Sequence, residues 1–174
     1  MAGSGFRVDY SRLFARIHEA EESLRPSGEV MQELAEFGAY RVFSDSQQSF
    51  VRQADPTTGK SWKPSFRARV KGGQTLLDSR RLSQSVITEG RASGKKVTVT
   101  GGTVPLVYAA IHQFGGDIRP VRAKWLRFRL ATGEGVRTKH VRIPARPYVG
   151  LGPRSIELIA AKFRQLFRGR AQGK

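Results

Sequence analysis

"IHQFGGDIRPVRAKWLRFRLATGEGVRTKHVRI", residues 111–143, changes character three times. It begins as an apolar turn, breaks at Gly115-Gly116, and then settles into alternation. Trp125, Arg127 and Arg129 alternate with Leu126, Phe128 and Leu130. After "ATGEG" (131–135), Val136 alternates with Arg137 and Val141 with Arg142. A period of two collects the basic side chains on one face of a strand, and two such strands across a short turn make a hairpin. Residues 117–142 are therefore expected to form an extended basic β-hairpin arm, launched from a helix by the glycine pair.

The flanks supply helices and one further strand. On the C-terminal side, "GPRSIELIAAKFRQLF" (152–167) predicts a helix with Pro153 in its first turn and Ile156, Ile159, Phe163 and Leu166 facing inward. Residues 169–174 read as a loose basic tail. On the N-terminal side, "VPLVYAAIHQFGG" (104–116) predicts a short helix with Pro105 in its first turn and Gly115 or Gly116 at its end. "KKVTVTGGT" (95–103) alternates Val97 and Val99 with Thr98 and Thr100, a strand signature. "TLLDSRRLSQSVI" (75–87) predicts another short helix, with Leu76, Leu82 and Val86 inward. "ADPTTGKSWKPS" (54–65) is rich in turn formers and predicts a loop.

Two helices are expected before that loop. In "DYSRLFARIHEAEESL" (9–24), Asp9 is placed to cap a helix, with Leu13, Phe14, Ile17 and Leu24 on one stripe. "RPSG" (25–28) breaks it, and residues 29–53 form a longer helix with Val30, Leu34 and Phe37 on one face. The whole predicts an α+β fold of one domain, 1–174. An N-terminal helical hairpin and a C-terminal helix pack on a small antiparallel sheet, and the basic arm extends from it.

Charge is the dominant compositional fact. The chain of 174 residues carries a formal net charge of +17. Residues 1–50 hold five Lys/Arg against eight Asp/Glu, and residues 51–174 hold twenty-six against six. An acidic front and a strongly basic remainder imply a polyanion nearby, or an acidic neighbour in an assembly. With no cysteine, disulfides and thiolate metal sites are excluded. No apolar run approaches the roughly 18 residues of a membrane span, and the first residues lack the apolar core of a signal peptide. The expectation is a soluble protein, made in a cytoplasm, with no membrane partner.

Enzymatic readings find little support. "ADPTTGKS" fits a relaxed phosphate-binding loop, but such a loop needs a buried strand before it and a helix after it. Here a polar helical segment precedes it and Pro64 follows closely. The better reading is a surface turn anchored by Trp62. His112 and His140 lack the spacing of a zinc site, the acids that follow His18 are expected on an exposed helix face, and carboxylates are sparse across 51–174. His112 has only Asp117 nearby, so a packed histidine at a helix end is expected rather than a general base. No catalytic residue, metal or cofactor is implied.

The functional candidates are Arg119, Arg122, Lys124, Arg127, Arg129, Arg137, Lys139 and Arg142. A flat basic run of this kind makes phosphate contacts without reading bases. It serves equally well against acidic patches of a neighbouring subunit, and the acidic N-terminal segment supplies such patches. On sequence the two readings are even.

Three segments in order, "ADPTTGKSWKPS", "VYAAIHQFGG" and "IPARPYVGL", together with the Leu/Ser pattern of "LLDSRRLSQSV", resemble the phage virion morphogenesis family. This family comprises the tail completion proteins of Mu-like and P2-like bacteriophages. The resemblance covers roughly residues 10–168. It implies a non-enzymatic virion protein, a tail terminator or neck component that forms a homo-oligomer, a hexameric ring, at the head-proximal end of the tail. It is assembled in the host bacterial cytoplasm and enables head–tail joining. The implied partners are tail tube and head–tail connector proteins, with genomic DNA in the channel. The matching positions are Trp62, Tyr108, His112, Gln113, Phe114, Gly115, Arg146, Pro147 and Gly150, expected as fold determinants, with Tyr108 and Phe114 filling the core. The competing class is a stand-alone non-specific nucleic-acid-binding protein.

Overall fold

In the computed structural model, residues 7–10, 27–94 and 96–171 are described. The longest element is helix α1 (Gly28–Arg52). Ser27 caps it through a contact with the Val30 amide, and it stops where Gln53 turns left-handed at φ 55°. Its buried positions, Val30, Met31, Leu34, Ala35, Gly38, Ala39, Val42, Ser46, Ser49 and Phe50, recur every three or four residues, which makes one continuous inner stripe. Phe37, expected on that face, is half-buried against the core.

That stripe lies on a three-stranded antiparallel sheet. Strand β1 (Arg7–Asp9), strand β2 (Val86–Ser93) and strand β3 (Lys96–Thr103) are ordered β1-β3-β2. β2 and β3 pair along their full length, from Val86 opposite Thr103 to Ser93 opposite Lys96. Val97 and Val99 point into the core, as their alternation predicts. The approach of α1 is set at Gly90, where an added Cβ would collide with the Ala35 backbone. A helix can come this close to a strand only where a side chain is missing.

Several expectations change here. Asp9, expected to cap a first helix, belongs to β1 opposite Thr100; residues 11–26, which that helix would comprise, lie outside the described residues. The helix expected over 75–87 shrinks to α3 (Arg81–Gln84), preceded by the short helix α2 (Phe66–Lys71). Leu76 and Arg80 both adopt positive φ, so the helix starts late, and Val86 opens β2 instead of closing a helix. β2 carried no strand signal because most of its residues are polar; its partner strand and α1 hold it in place. Helix α4 (Ala109–Phe114) is also shorter than expected, and Pro105 lies before it rather than in its first turn.

The chain then enters the arm. Strand β4 (Gly116–Ile118) pairs with strand β7 (Val141–Ile143), and strand β5 (Leu126–Arg129) pairs with strand β6 (Gly135–Thr138), both antiparallel. The turn at 130–134 is closed by hydrogen bonds between Leu130 and the Glu134 carbonyl (2.8 Å) and between Gly133 and the Leu130 carbonyl (2.9 Å). Helix α5 (Pro153–Ala171) closes the fold with Pro153 at its first position, and Ile159 and Phe163 buried against α1. A Lys162–Glu33 ion pair of 2.6 Å and a 2.8 Å bond from Arg41 to the Ser155 hydroxyl join the two helices.

Candidate functional site: a two-faced basic arm on a locked corner

The arm rises from a corner built by buried polar groups. Gln113, on the inner side of α4, accepts hydrogen bonds from the amides of Tyr148 (2.9 Å) and Val149 (3.0 Å). Its Nε2 donates to the Val149 carbonyl at 3.0 Å. One glutamine thus acts as a short strand edge for the returning chain. From α1, the Ser49 hydroxyl donates to the Tyr148 carbonyl (3.1 Å), and the Asp45 carboxylate accepts the Gly152 amide (2.7 Å). Trp62 donates its indole N–H to the Pro147 carbonyl at 2.9 Å and meets the Phe50 ring edge-on. Gly115 has φ 72°, and a Cβ there would lie 2.7 Å from the Ala145 amide nitrogen, so the chain can turn into β4 only at glycine. Gly150 is equally confined, by Pro56 and Thr57.

Trp62, Gln113, Gly115 and Gly150 are built into this corner by their contacts, whereas one expectation about the matched positions needs correction. Tyr108 and Phe114 do not fill the core: they are 38% and 61% exposed. A helix of six residues has room for one inward face, and Ala109 and Gln113, four apart, occupy it. The aromatic that fills the centre is Tyr148, fully buried, with its hydroxyl donating to the Ala109 carbonyl at 3.1 Å. Burial raises its pKa. No periodicity marked Tyr148, because the extended segment around it belongs to neither a helix nor a strand.

The turn at 54–61 closes through a bridge between Ala54 and Ser61. The Asp55 carboxylate accepts from the Thr57 amide (2.8 Å) and the Thr58 hydroxyl (2.7 Å). The loop's donors are thus taken up by its own Asp55, and buried Trp62 follows directly, which makes this a Trp62-anchored turn.

All eight basic candidates are exposed, and the arm sorts them. Arg127 lies directly opposite Arg137 in the β5–β6 ladder, and Arg129 opposite Gly135. Paired residues share a face, so Arg127, Arg129 and Arg137 stand together. Trp125 continues that face: the Arg137 guanidinium lies 4.5 Å and the Lys139 ammonium 5.3 Å from its ring centre. Arg142 lies opposite Asp117 in the β4–β7 ribbon. Arg119, Arg122 and Lys124 fall in the connection before β5. Leu126, Phe128, Val136 and Thr138 form the opposite face, with Phe128 39% exposed. The apolar face and the Trp125 platform were legible only as alternation, with no sign of what they would meet.

Two arginines held directly opposite each other destabilise a hairpin by about 0.2–1 kcal/mol. Stacking one of them on the half-buried Trp125 indole returns about 0.5–1 kcal/mol or somewhat more. The hairpin can thus hold cations at high density, but it leaves their charge uncompensated. A concentrated, solvent-exposed positive charge of this kind is chemically suited to meeting oxyanions.

The profile of the phage virion morphogenesis family matches residues 8–167. The chain belongs to that family. It is also 33% identical over 123 residues to "Putative capsid assembly protein G" of Escherichia phage Mu, an alignment covering 65% of this chain and 64% of that protein. The chain thus spans slightly less than two thirds of that relative's length. No solved structure matches it. Family membership makes the chain a phage structural or assembly protein, and the described residues contain no helix long and apolar enough to cross a membrane.

Proposed function

We propose that this virion morphogenesis protein completes the tail. It forms a ring, six copies in our reading, at the head-proximal end, contacts tail tube and head–tail connector proteins, and enables head–tail joining without catalysis. The family match over residues 8–167 carries this reading. The two faces of the arm support a division of labour within such a ring. The apolar face of Leu126, Phe128 and Val136 packs on a neighbouring subunit, and the Trp125, Arg127, Arg129, Arg137 and Lys139 face looks toward DNA in the channel. Repetition around a ring multiplies that charge, which compensates for the absence of sequence-reading contacts.

The test is imaging with mass determination of the purified protein, alone and mixed with tails lacking it. Closed rings or density capping the tail end are expected. A monomer that ignores tails yet binds DNA points instead to a stand-alone nucleic-acid-binding protein, the reading the opposed Arg127–Arg137 pair would then favour. Replacing Arg127, Arg129, Arg137 and Lys139 by Glu should abolish head–tail joining. Normal virions from that mutant refute the role given to the arm.

A further inference from the structure

Beside the corner lies a second site, which the arm does not use. A cavity of about 240 Å³ is lined by Arg67, Asp78, Leu82, Tyr108, His112 and Arg146, among others. Arg146 is only 6% exposed. Its Nε donates to the Lys63 carbonyl at 2.8 Å, and its backbone amide to the His112 carbonyl at 2.8 Å. Its two terminal nitrogens donate to no acceptor among the described residues, and no carboxylate there forms an ion pair with it. The terminal nitrogens open onto the cavity rather than being sealed from it, so the guanidinium is partly dehydrated and has no counter-ion, an unfavourable state that a bound anion would relieve.

The surroundings give Arg146 no compensation. Arg67 lines the same cavity and is taken up by Asp78 at 3.5 Å and by the Gln74 carbonyl at 2.6 Å. Asp78 is 77% exposed at its side chain, so it answers Arg67 at the rim rather than Arg146 within. His112 lies against Tyr108, and its Nδ1 is buried without a hydrogen-bond partner among the described residues. Burial and the Arg146 charge both hold its pKa down, so the imidazole is kept neutral. A small cavity is thus lined by two guanidinium groups and one carboxylate, and that carboxylate pairs with Arg67 alone. Leu76 and Leu82 form an apolar wall, and Tyr108, which also lines the cavity, is partly exposed.

We propose that this cavity is a carboxylate receptor, in which Arg146 takes the side chain of an Asp or Glu presented by a neighbouring protein chain. The guanidinium fork matches a carboxylate in two-point geometry. The volume admits a short acidic side chain, and the apolar wall suits its methylene stem. The neighbouring chain as source rests on the assembly reading above, but the receptor itself does not, because a free carboxylate tests it on the isolated protein.

His112 is the built-in reporter. Using ¹³C-histidine-labelled full chain at constant ionic strength, acetate and N-acetylglutamate amide are titrated against chloride and phosphate. The His112 resonance is expected to move saturably in the millimolar range with both carboxylates, its pKa rising as the Arg146 charge is answered. Exposed His140 should not follow. Asp78→Asn, at a side chain 77% exposed, should tighten carboxylate binding severalfold by removing a negative charge from the rim and freeing Arg67. Arg146→Lys should weaken it about tenfold or more, since an ammonium cannot form the fork. No saturable His112 response, an equal response at His140, or no tightening in Asp78→Asn overturns the receptor. Phosphate binding in preference to both carboxylates overturns the ligand class. None of these outcomes depends on ring formation, so failure here and failure of the tail-completion reading are separable.

Discussion

Replacing Gln113 by Leu probes the corner on which the arm stands. The amide answers three backbone groups, the N–H of Tyr148, the N–H of Val149 and the C=O of Val149, all at 2.9–3.0 Å. Leucine has similar bulk but answers none of them. Each buried polar group left unsatisfied costs about 1–3 kcal/mol, so three of them with partial relaxation should cost about 3–6 kcal/mol. That is a large share of the roughly 5–15 kcal/mol that holds an ordinary domain together. With a urea dependence of about 2 kcal/mol per molar, the unfolding midpoint should fall by about 1.5–3 M. The assay is urea unfolding followed by far-ultraviolet circular dichroism, which avoids confusing Trp62 in the core with Trp125 on the arm. Gln84→Leu is the control: that side chain is exposed, and its loss should stay within about 0.5 kcal/mol. A Gln113→Leu midpoint within about 0.3 M of the unaltered protein, below what even one lost bond implies, would refute the clamp.

Gly115→Ala should cost about 2–4 kcal/mol, since it combines a strained positive φ with a backbone clash; Gly59→Ala, with φ 73° but open space, should cost about 1 kcal/mol in the same unfolding assay. Equal costs at the two sites would remove the close approach at Ala145 from the argument. His112 has a pKa below its ordinary 6.5 in the folded state, so the unfolded chain takes up a proton first as pH falls. Its contribution to stability is therefore intact above about pH 6.5 and declines below it, down to the depressed folded value. His112→Gln should flatten that part of the stability–pH curve, and an unchanged slope would contradict it. On the arm, the Glu replacements at Arg127, Arg129, Arg137 and Lys139 should lower the salt dependence of DNA binding by about three to four units of log–log slope. A uniform loss of affinity with the slope unchanged would mean that these side chains do not meet phosphate.

The hairpin, helix α1 and helix α5 were legible because each is periodic over a long stretch, and periodicity survives without knowledge of partners. The family resemblance was legible for a different reason: several short motifs fell in a fixed order, and the profile match over residues 8–167 bears it out. What periodicity could not supply were the elements defined by someone else's surface. β2 is polar and becomes a strand only because β3 offers a full ladder and Gly90 admits Ala35. Tyr108 and Phe114 looked like core residues by type, yet a helix of six residues can turn only one face inward.

The sequence by itself determined the class of molecule: an α+β chain, strongly basic beyond residue 50, with alternating arginines on a hairpin. These follow from composition and local periodicity, which are properties of the chain alone. Only the tertiary structure decided that Arg127 faces Arg137, that Gln113 clamps residues 148–149, and that Arg146 is buried beside His112 without a carboxylate. Those facts depend on register and on contacts between segments some 35 to 80 positions apart, and side-chain chemistry acquires its meaning there from what the fold places next to it.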